Sequence, residues 1–334
     1  MDNQSQSDRE TPTARETADP QAATASDAAE SSGTQIEPLT IAQQRIIVTE
    51  YFDHIESCRA LPPLIDFLPE ANLPTLSPSP RFSLIVDTMI QGDLQELRNQ
   101  VHHWLANLRA WNVWIDVLAR HTESIQYQME WLWVEPIAFR CLFQPSGMRD
   151  RMVSVATNAL HQIRMLIDQQ IPDHLVGDPV KPGGRPRYPS RREKEGQLTS
   201  MALRWPSGSA FIEAVTKLDG KANRDATSDF RNRASHAIAP RFSAGITSPV
   251  TRTVEQATGY EQQADGTFKD VPIDGTTVSY GVGGIAPLDM RSAWKTNLDE
   301  YRLTDTAYSH YVELLRDAIE SVQNMGERGC TKDR

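Results

Sequence analysis

Apolar side chains recur at alternating spacings of three and four residues along one stretch of this 334-residue chain. The residues are Leu94, Leu97, Val101, Trp104, Leu108, Trp111, Ile115 and Leu118. Such spacing places the side chains on one side of an α-helix for four heptads, so it predicts a long helix from about Asp93 to Arg120. A seam of this kind is buried either inside a helical bundle or against a second chain in a dimeric coiled coil. We favour the bundle and keep the coiled coil as the alternative.

Helical periodicity in other segments predicts that the fold is mainly α. A helix should begin after Thr40, whose side chain can cap the first turn. Later amphipathic segments cover Val153–Ile167, Ser209–Leu218 and Tyr308–Val322, and a short helix should begin near Thr227. The fold class that we expect is therefore a helical bundle.

Three other segments have different compositions. Pro62–Pro80 contains six prolines and should be a loop, and Ser124–Phe143 is rich in aromatic residues and should be buried. Residues 251–284 contain alternating β-forming residues, the turn signals Asp265-Gly266 and Asp274-Gly275, and a glycine-rich end. These features predict a small β-hairpin insert of two or three strands.

Acidic residues are concentrated at the N-terminus. Residues 1–37 hold eight acidic residues and two arginines, which is −6 of the net charge of −10, and almost no large apolar side chains. We expect a disordered acidic tail over residues 1–37, followed by one helical domain over residues 38–330. The remaining 297 residues carry a net charge of only −4, so the acidity of the chain does not exclude a nucleic-acid partner.

Some classes of protein are disfavoured by what the sequence lacks. It has no apolar run of about 18 residues and no secretory signal, so we expect a cytoplasmic protein without a membrane partner. Cys58, Cys141 and Cys330 form no CxxC pair, which disfavours structural zinc and a disulfide framework. We therefore expect no metal and no cofactor.

The polar hexapeptide Arg231-Asn232-Arg233-Ala234-Ser235-His236 offers a combination of groups that suits cleavage of a phosphodiester. On a helix its polar side chains lie roughly opposite Phe230 and Ala234, so they should face solvent, a cleft or a second subunit. A histidine transfers protons near neutral pH, and an arginine holds the phosphate and stabilises the charge that develops on it. Asn232 can orient the imidazole or bond the phosphate.

The arrangement resembles the HEPN superfamily (higher eukaryotes and prokaryotes nucleotide-binding). Its members are helical bundles with an Arg, often followed by Asn, Asp or His, and a His four to six residues beyond the Arg. Arg231, Asn232 and His236 match this motif, and the segment from Asp229 to Phe242 is similar to a group of uncharacterised bacterial HEPN-like proteins. Many members are metal-independent endoribonucleases in toxin–antitoxin, phage-defence or stress systems, and they usually dimerise so that two motifs form one cleft.

The resemblance implies RNA cleavage that leaves a 2′,3′-cyclic phosphate and a 5′-OH. His236 would be the general acid/base, Arg231 the phosphate clamp and Asn232 the orienting group. The expected partners are RNA or a nucleotide, a second copy in a homodimer, and, for a toxin, an antitoxin protein.

A second copy of the pattern competes with the first. Arg98, Asn99 and His103 also form Arg-Asn-x3-His, and on the long helix they face away from the apolar seam. Geometry therefore does not choose between the copies, and we favour the later one because its surroundings carry the resemblance. Two sites, or one cleft that uses both copies, stay open.

Further basic residues are candidates for holding RNA. The segment Pro179–Glu195 has six basic and two acidic residues, and it is either a solvated linker or a flexible phosphate-binding arm in which Tyr188 stacks on a base. The candidates are Arg185, Arg187, Arg191, Arg192 and Arg233.

The alternative to a nuclease is a non-catalytic module. One such module binds RNA or a nucleotide, and in it Arg231 and His236 are salt-bridged into the fold. Another is a protein-interaction module built on the Leu94–Leu118 seam. In the first case replacing Arg231 and His236 would lower stability rather than remove an activity, and in the second a charge at Val101 should abolish a dimer.

Overall fold

A computed structural model of the protein shows a mainly α-helical chain with a two-stranded antiparallel sheet. It describes residues 37–55, 73, 74, 76, 83–168, 170–179, 181, 183–242 and 245–330. The helical bundle with a small β-hairpin is thereby confirmed. Residues 1–36, which form nearly all of the predicted disordered tail, and most of the predicted loop Pro62–Pro80 lie outside the described residues.

The elements follow one another in a simple order. The helices are α1 (Ile41–Ile55), α2 (Ser83–Leu118), α3 (Glu123–Met129), α4 (Glu135–Ile167), α5 (Arg191–Ala202), α6 (Gly208–Lys217), α7 (Lys221–Ala226), α8 (Phe230–His236) and α9 (Met290–Cys330). A π-helical turn, Glu130–Val134, joins α3 to α4. The strands β1 (Val250–Gln262) and β2 (Phe268–Val282) lie between α8 and α9. Thr40 caps α1 as predicted, because its Oγ1 accepts a hydrogen bond from the backbone N–H of Gln43 (3.3 Å).

Three long helices, α2, α4 and α9, pack against one another and form the core. The predicted seam of α2 lies on its buried side, where Val101, Trp104, Leu108 and Trp111 have no exposed surface. The bundle is confirmed and the coiled coil is wrong, because α4 and α9 already cover the seam. The helix begins ten residues earlier than the predicted Asp93, at Ser83.

A buried asparagine joins these three helices. The indole N–H of Trp104 in α2 donates to Oδ1 of Asn297 in α9 (2.8 Å), and Nδ2 of Asn297 donates to the carbonyl of Cys141 in α4 (2.9 Å). Asn297 has no exposed surface. A buried amide costs free energy unless it is hydrogen-bonded, so these bonds fix the relative positions of the helices along their axes.

The aromatic segment Ser124–Phe143 was expected to be buried, and this prediction is wrong for much of it. Trp131 is 69% exposed, and Trp133 and Phe139 are also exposed. The cause is the π-helical turn, which contains one more residue than an α-turn. Met129 and Val134 are both buried although they are five residues apart, so the side chains between them face outward.

The hairpin, which we call the arm (Val250–Val282), has two strands rather than three. The Asp265-Gly266 turn between them is confirmed. The predicted turn at Asp274-Gly275 is wrong: both residues lie inside β2, where the register shifts opposite Gln256 and Thr258. Gly275 has a φ of 109°, which suits glycine in this irregularity of the ladder.

We expect Trp104→Ala to lower the free energy of unfolding by about 3–5 kcal/mol, because it removes a fully buried ring and leaves the Asn297 amide oxygen without its donor. The matched control is Trp131→Ala, which removes an exposed ring and should change stability by less than about 0.5 kcal/mol. Urea denaturation followed by circular dichroism measures both. Equal losses in the two variants would contradict this description of the core.

Candidate functional site

Helix α8 carries the hexapeptide and begins at Phe230, three residues later than predicted. Ser228 and Asp229 have φ values of 51° and 53°, and this left-handed backbone separates α8 from α7. Phe230 is buried and anchors α8. Its ring packs edge-to-face on Phe139 (5.5 Å between centroids) and lies 5.5 Å from the ring of Phe242.

Arg231 and Asn232 line an open cavity of about 510 Å³ between α4, α5, α7 and α8. The other polar residues that line it are Asp150, Arg191, Lys194, Asp219, Asn223, Arg224, Thr227 and Asp229. Asn232 is oriented by Asp229, whose carboxylate accepts a hydrogen bond from Nδ2 of Asn232 (3.0 Å). The structure thus brings two of the three predicted motif residues to one concave surface.

An ion-pair network centred on Arg191 forms one wall of the cavity. The guanidinium donates to both carboxylate oxygens of Asp150 (2.9 and 3.2 Å), to Asp219 (2.9 Å) and to the hydroxyl of Ser146 (2.7 Å). The predicted loop Pro179–Glu195 ends before Arg191, because Arg191 is the first residue of α5. Ser190 and Glu193 form the capping box that starts this helix. Arg191 was a candidate for RNA binding, but its donors are used within the fold.

Asp219 links the cavity to the buried side of α9. It is 7% exposed, with a left-handed φ of 53°, and its backbone N–H donates to Glu300 (2.9 Å). Burial raises the pKa of the Glu300 carboxyl to about 7. The hydrogen bond from Asp219 and the charges of Arg149 and Arg224 lower this pKa, whereas the Asp219 carboxylate raises it. Glu300 is therefore a proton-binding group behind the cavity wall.

Two cations in the cavity are available to a ligand. Within the part of the chain that the structure describes, neither Arg231 nor Lys194 forms an ion pair, although both are half-buried. Asn223, which also lines the cavity and is only 7% exposed, has an Oδ1 atom without a hydrogen-bond partner. Because buried polar atoms and partly buried charges are normally satisfied, the two cations suit an anionic group of a ligand, and Oδ1 of Asn223 suits a hydrogen-bond donor of the same ligand.

His236 lies apart from Arg231 and does not line this cavity. It is the last residue of α8 and is exposed. Five residues of helix separate it from Arg231 by about 7.5 Å along the axis and about 140° around it. One subunit therefore does not bring the imidazole to Arg231 or into the cavity, although Asn232 lies one helical turn before His236.

The other predicted basic residues lie in different surroundings. Arg233 turns to the opposite side of α8, where its Nε donates to the carbonyl of Ser228 (3.0 Å). Arg185 and Arg192 are exposed, and Arg187 is paired with Glu193 (2.9 Å). Arg185, Arg187 and Arg192 thus remain on an exposed surface before and within the first turn of α5.

The competing copy lies on the long helix α2. Oδ1 of Asn99 accepts a hydrogen bond from Gln95 on the same helix (3.0 Å), and His103 is exposed. Burial, with the charges of Arg98 and His103, lowers the pKa of the neighbouring His102 to about 4. Arg98, Asn99 and His103 do not line the cavity that contains Arg231. The competing copy therefore lies on a helix surface outside this cavity, and this favours the later copy, Arg231, Asn232 and His236, as the site.

Sequence patterns did not indicate an aromatic groove next to α8. Trp131 and Tyr127, both exposed, line a groove of about 270 Å³ with Glu130, Glu135, Arg241 and Phe242. Phe242 packs on Phe230, so the groove and the cavity that contains Arg231 share one aromatic cluster. The π-helical turn places Trp131 at the surface, and no pattern in the sequence predicts that turn.

Comparison with protein-family models, curated proteins and solved structures finds no match to this chain. None of the helices in the described residues combines the length and the apolarity needed to cross a membrane. Among the same residues, His, Cys, Asp and Glu side chains form no group of three or more that could hold a metal ion. The cavity and the groove beside α8 are therefore the features from which a function can be inferred.

We expect Glu300→Gln to change the pH dependence of stability. The folded-state pKa of Glu300 is raised above its unfolded value, so its contribution to stability is fully present below about pH 4.5 and is lost as the pH rises through about 7. The variant does not titrate at this position. It should therefore gain up to about 3 kcal/mol over the wild type between pH 4.5 and pH 8. Urea denaturation at both pH values measures this gain, and Glu313→Gln, an exposed position on α9, is the control. Parallel pH profiles for wild type and Glu300→Gln would contradict the placement of this carboxyl.

Proposed function

We propose that the protein is an endoribonuclease of the HEPN type that cleaves RNA without a metal ion. The observation that carries the proposal is the cavity beside α8, where Arg231 and Lys194 stand without ion-pair partners next to the amides of Asn232 and Asn223. The two cations match the charge of a phosphodiester, Nδ2 of Asn232 can donate to one of its oxygens, and the free Oδ1 of Asn223 can accept from a hydroxyl group of the RNA. The resemblance of Arg231, Asn232 and His236 to the HEPN motif supports cleavage as well as binding.

Each motif residue has a role in the proposed reaction. The guanidinium of Arg231 holds the phosphate and stabilises the charge that develops as the 2′-oxygen attacks phosphorus. Asn232, held by Asp229, donates to a phosphate oxygen. The bond from phosphorus to the 5′-oxygen breaks, which leaves a 2′,3′-cyclic phosphate. One proton leaves the 2′-OH and another reaches the 5′-oxygen, and His236 transfers these protons.

A second copy of the chain is part of this proposal. Because His236 lies outside the cavity of its own subunit, the imidazole reaches the phosphate from the partner subunit in a homodimer in which the two α8 helices face each other. The nuclease would act as a stress or phage-defence effector, or as a toxin that an antitoxin protein restrains.

The aromatic groove supplies a path for the RNA strand away from the cavity. Trp131 and Tyr127 offer exposed rings on which bases can stack, and Arg241 offsets part of the negative charge of Glu130 and Glu135, which line the same groove. Phe230 and Phe242 connect this groove to α8. A strand whose phosphate lies on Arg231 would therefore place a neighbouring base on Trp131.

A non-catalytic module that binds RNA or a nucleotide is the second candidate. The observation that favours it is the position of His236, which is exposed at the end of α8 and outside the cavity. Such a module would use Arg231, Lys194 and the aromatic groove in the same way. It would not need a second subunit to supply a histidine.

We expect His236→Ala to lower the rate of RNA cleavage by about 100-fold or more, because it removes the group that transfers protons. RNA affinity and stability should change little, since the side chain is exposed. The assay incubates the purified full chain with RNA of mixed sequence in the presence of EDTA and determines the ends of the fragments. His103→Ala is the matched control from the competing copy and should cleave like the wild type.

The outcomes of this assay separate the candidates. Cleavage lost only in His103→Ala would move the site to α2. RNA binding by the wild type without any cleavage would replace the nuclease with the non-catalytic module.

We expect Trp131→Ala to weaken the binding of single-stranded RNA by about 5- to 100-fold, which corresponds to the stacking of one base. Fluorescence anisotropy in the His236→Ala background measures the affinity without cleavage of the probe. Tyr188→Ala removes a ring that is 94% exposed in the Arg-rich segment and is the control. If only Tyr188→Ala weakened binding, the RNA would lie on residues 183–192 and not in the groove.

A further inference from the structure

A second cavity, of about 560 Å³, opens where the C-terminal end of α4 meets the connection between α5 and α6 and the surface of α9. It has no lining residue in common with the cavity beside α8. Its volume lies within the range of about 300–1,000 Å³ that is typical of small-molecule sites. The cavity is therefore large enough to hold a ligand of its own.

Two arginines line this second cavity from different elements. Arg164 lies in the last turn of α4, and Arg204 lies between α5 and α6. Across the described ranges, neither guanidinium forms an ion pair or a hydrogen bond, and Nε of Arg164 is buried without a partner. Burial and the charge of Arg204 lower the pKa of the Arg164 guanidinium, whereas the charge of Asp168 raises it. Two cations that repel each other without a bonded partner suit an anion that lies between them.

The end of a helix explains only part of this arrangement. A cation in the last turn of α4 is stabilised by the partial negative charge of the free carbonyl groups there. That effect accounts for the position of Arg164. It does not account for its buried Nε or for Arg204, which belongs to another segment.

Apolar side chains form another part of the wall. Ile167 and Ile171 are half-buried and line the cavity together with the ring of Trp205. Trp205 is only 8% exposed, and its indole N–H donates to the hydroxyl of Ser321 (3.1 Å). The ring is thus held in place with its polar atom already bonded. A ligand that fills the cavity needs an apolar body as well as an anionic group.

Acidic side chains limit the charge of that ligand. Asp168, Asp317 and Glu320 also line the cavity. Asp317 has a structural role, because it accepts hydrogen bonds from the N–H (2.9 Å) and the hydroxyl (2.7 Å) of Ser207 at the start of α6. Three carboxylates repel a polyanion such as RNA or a nucleoside triphosphate, whereas a single negative charge can lie on the two arginines.

We propose that the second cavity binds a small monocarboxylate with an apolar body. The carboxylate lies between Arg164 and Arg204, and the body packs on Ile167, Ile171 and Trp205. A guanidinium presents parallel N–H donors that match the two oxygens of a carboxylate. The proposal does not rest on RNA cleavage, because the cavity is separate from α8.

Saturation-transfer difference NMR with the full chain tests the class of ligand. The compounds are hexanoate, octanoate and phenylacetate, each compared with the amide of the same carbon skeleton, together with acetate and butyl phosphate. We expect saturable binding of at least one of the three carboxylates. It should bind at least about 10-fold more tightly than its uncharged amide and than acetate, which lacks the apolar body.

Substitutions test the position of the site. Arg164→Gln and Arg204→Gln should each weaken binding at least about 10-fold, because each removes charge-assisted hydrogen bonds. Arg316→Gln, at an exposed position of α9 outside the cavity, is the matched control. Arg231→Gln is the control for the cavity beside α8. Both controls should bind the carboxylate like the wild type.

Urea denaturation of Arg164→Gln separates a ligand site from a structural role. The variant should be at least as stable as the wild type without ligand, since it removes a partly buried charge that has no bonded partner. Lower stability would overturn the proposal. So would no saturable binding of any of the three carboxylates, equal binding of the amides, tighter binding of butyl phosphate, or an equal loss in a control variant. None of these results depends on ribonuclease activity.

Discussion

The turn at Leu218 and Asp219 is the point on which the cavity beside α8 depends. Asp219 is buried in a left-handed conformation, and its polar groups are bound by three helices: the N–H by Glu300 of α9, the carboxylate by Arg191 of α5 and the carbonyl by Arg224 of α7. A left-handed backbone costs about 1–2 kcal/mol, and a buried carboxylate costs more unless it is paired. Because these costs are offset only when all three partners are present, the turn holds α5, α7 and α9 in one arrangement.

The arrangement of α5, α7 and α9 determines which charged side chains in the cavity form ion pairs within the fold and which do not. Asp150 and Asp219 neutralise Arg191, so the predicted phosphate ligand at this position becomes part of the wall. Arg231 and Lys194 are left to a ligand. The left-handed pair Ser228 and Asp229 then turns the chain, so that Phe230 enters the aromatic cluster while Arg231 faces the cavity. The base of the arm lies on the other side of α8, where Ile285 and Arg233 line one shared cavity.

Periodic patterns in the sequence predicted the parts of the fold that depend on local spacing. The Leu94–Leu118 seam, the Thr40 cap and the Asp265-Gly266 turn each follow from residues close in the chain, and each is confirmed. Sequence patterns did not predict the features that depend on contacts between residues far apart in the chain. The π-helical turn exposes Trp131 with no signal in its neighbours, and the burial of Asp219 depends on Glu300, 81 residues away. For the site, Arg231 and Asn232 both line the cavity, whereas His236 does not, because it lies about 140° around α8 from Arg231.

The most direct test of the account is a map of where RNA touches the chain. Single-stranded RNA containing 4-thiouridine would be cross-linked to the His236→Ala variant, and the modified peptides would be identified by mass spectrometry. We expect cross-links in the segments that contain Tyr127, Trp131 and Phe139 and in residues 229–242. Cross-links confined to the region of Arg98–His103, or to residues 183–192, would contradict a site formed by α8 and the aromatic groove.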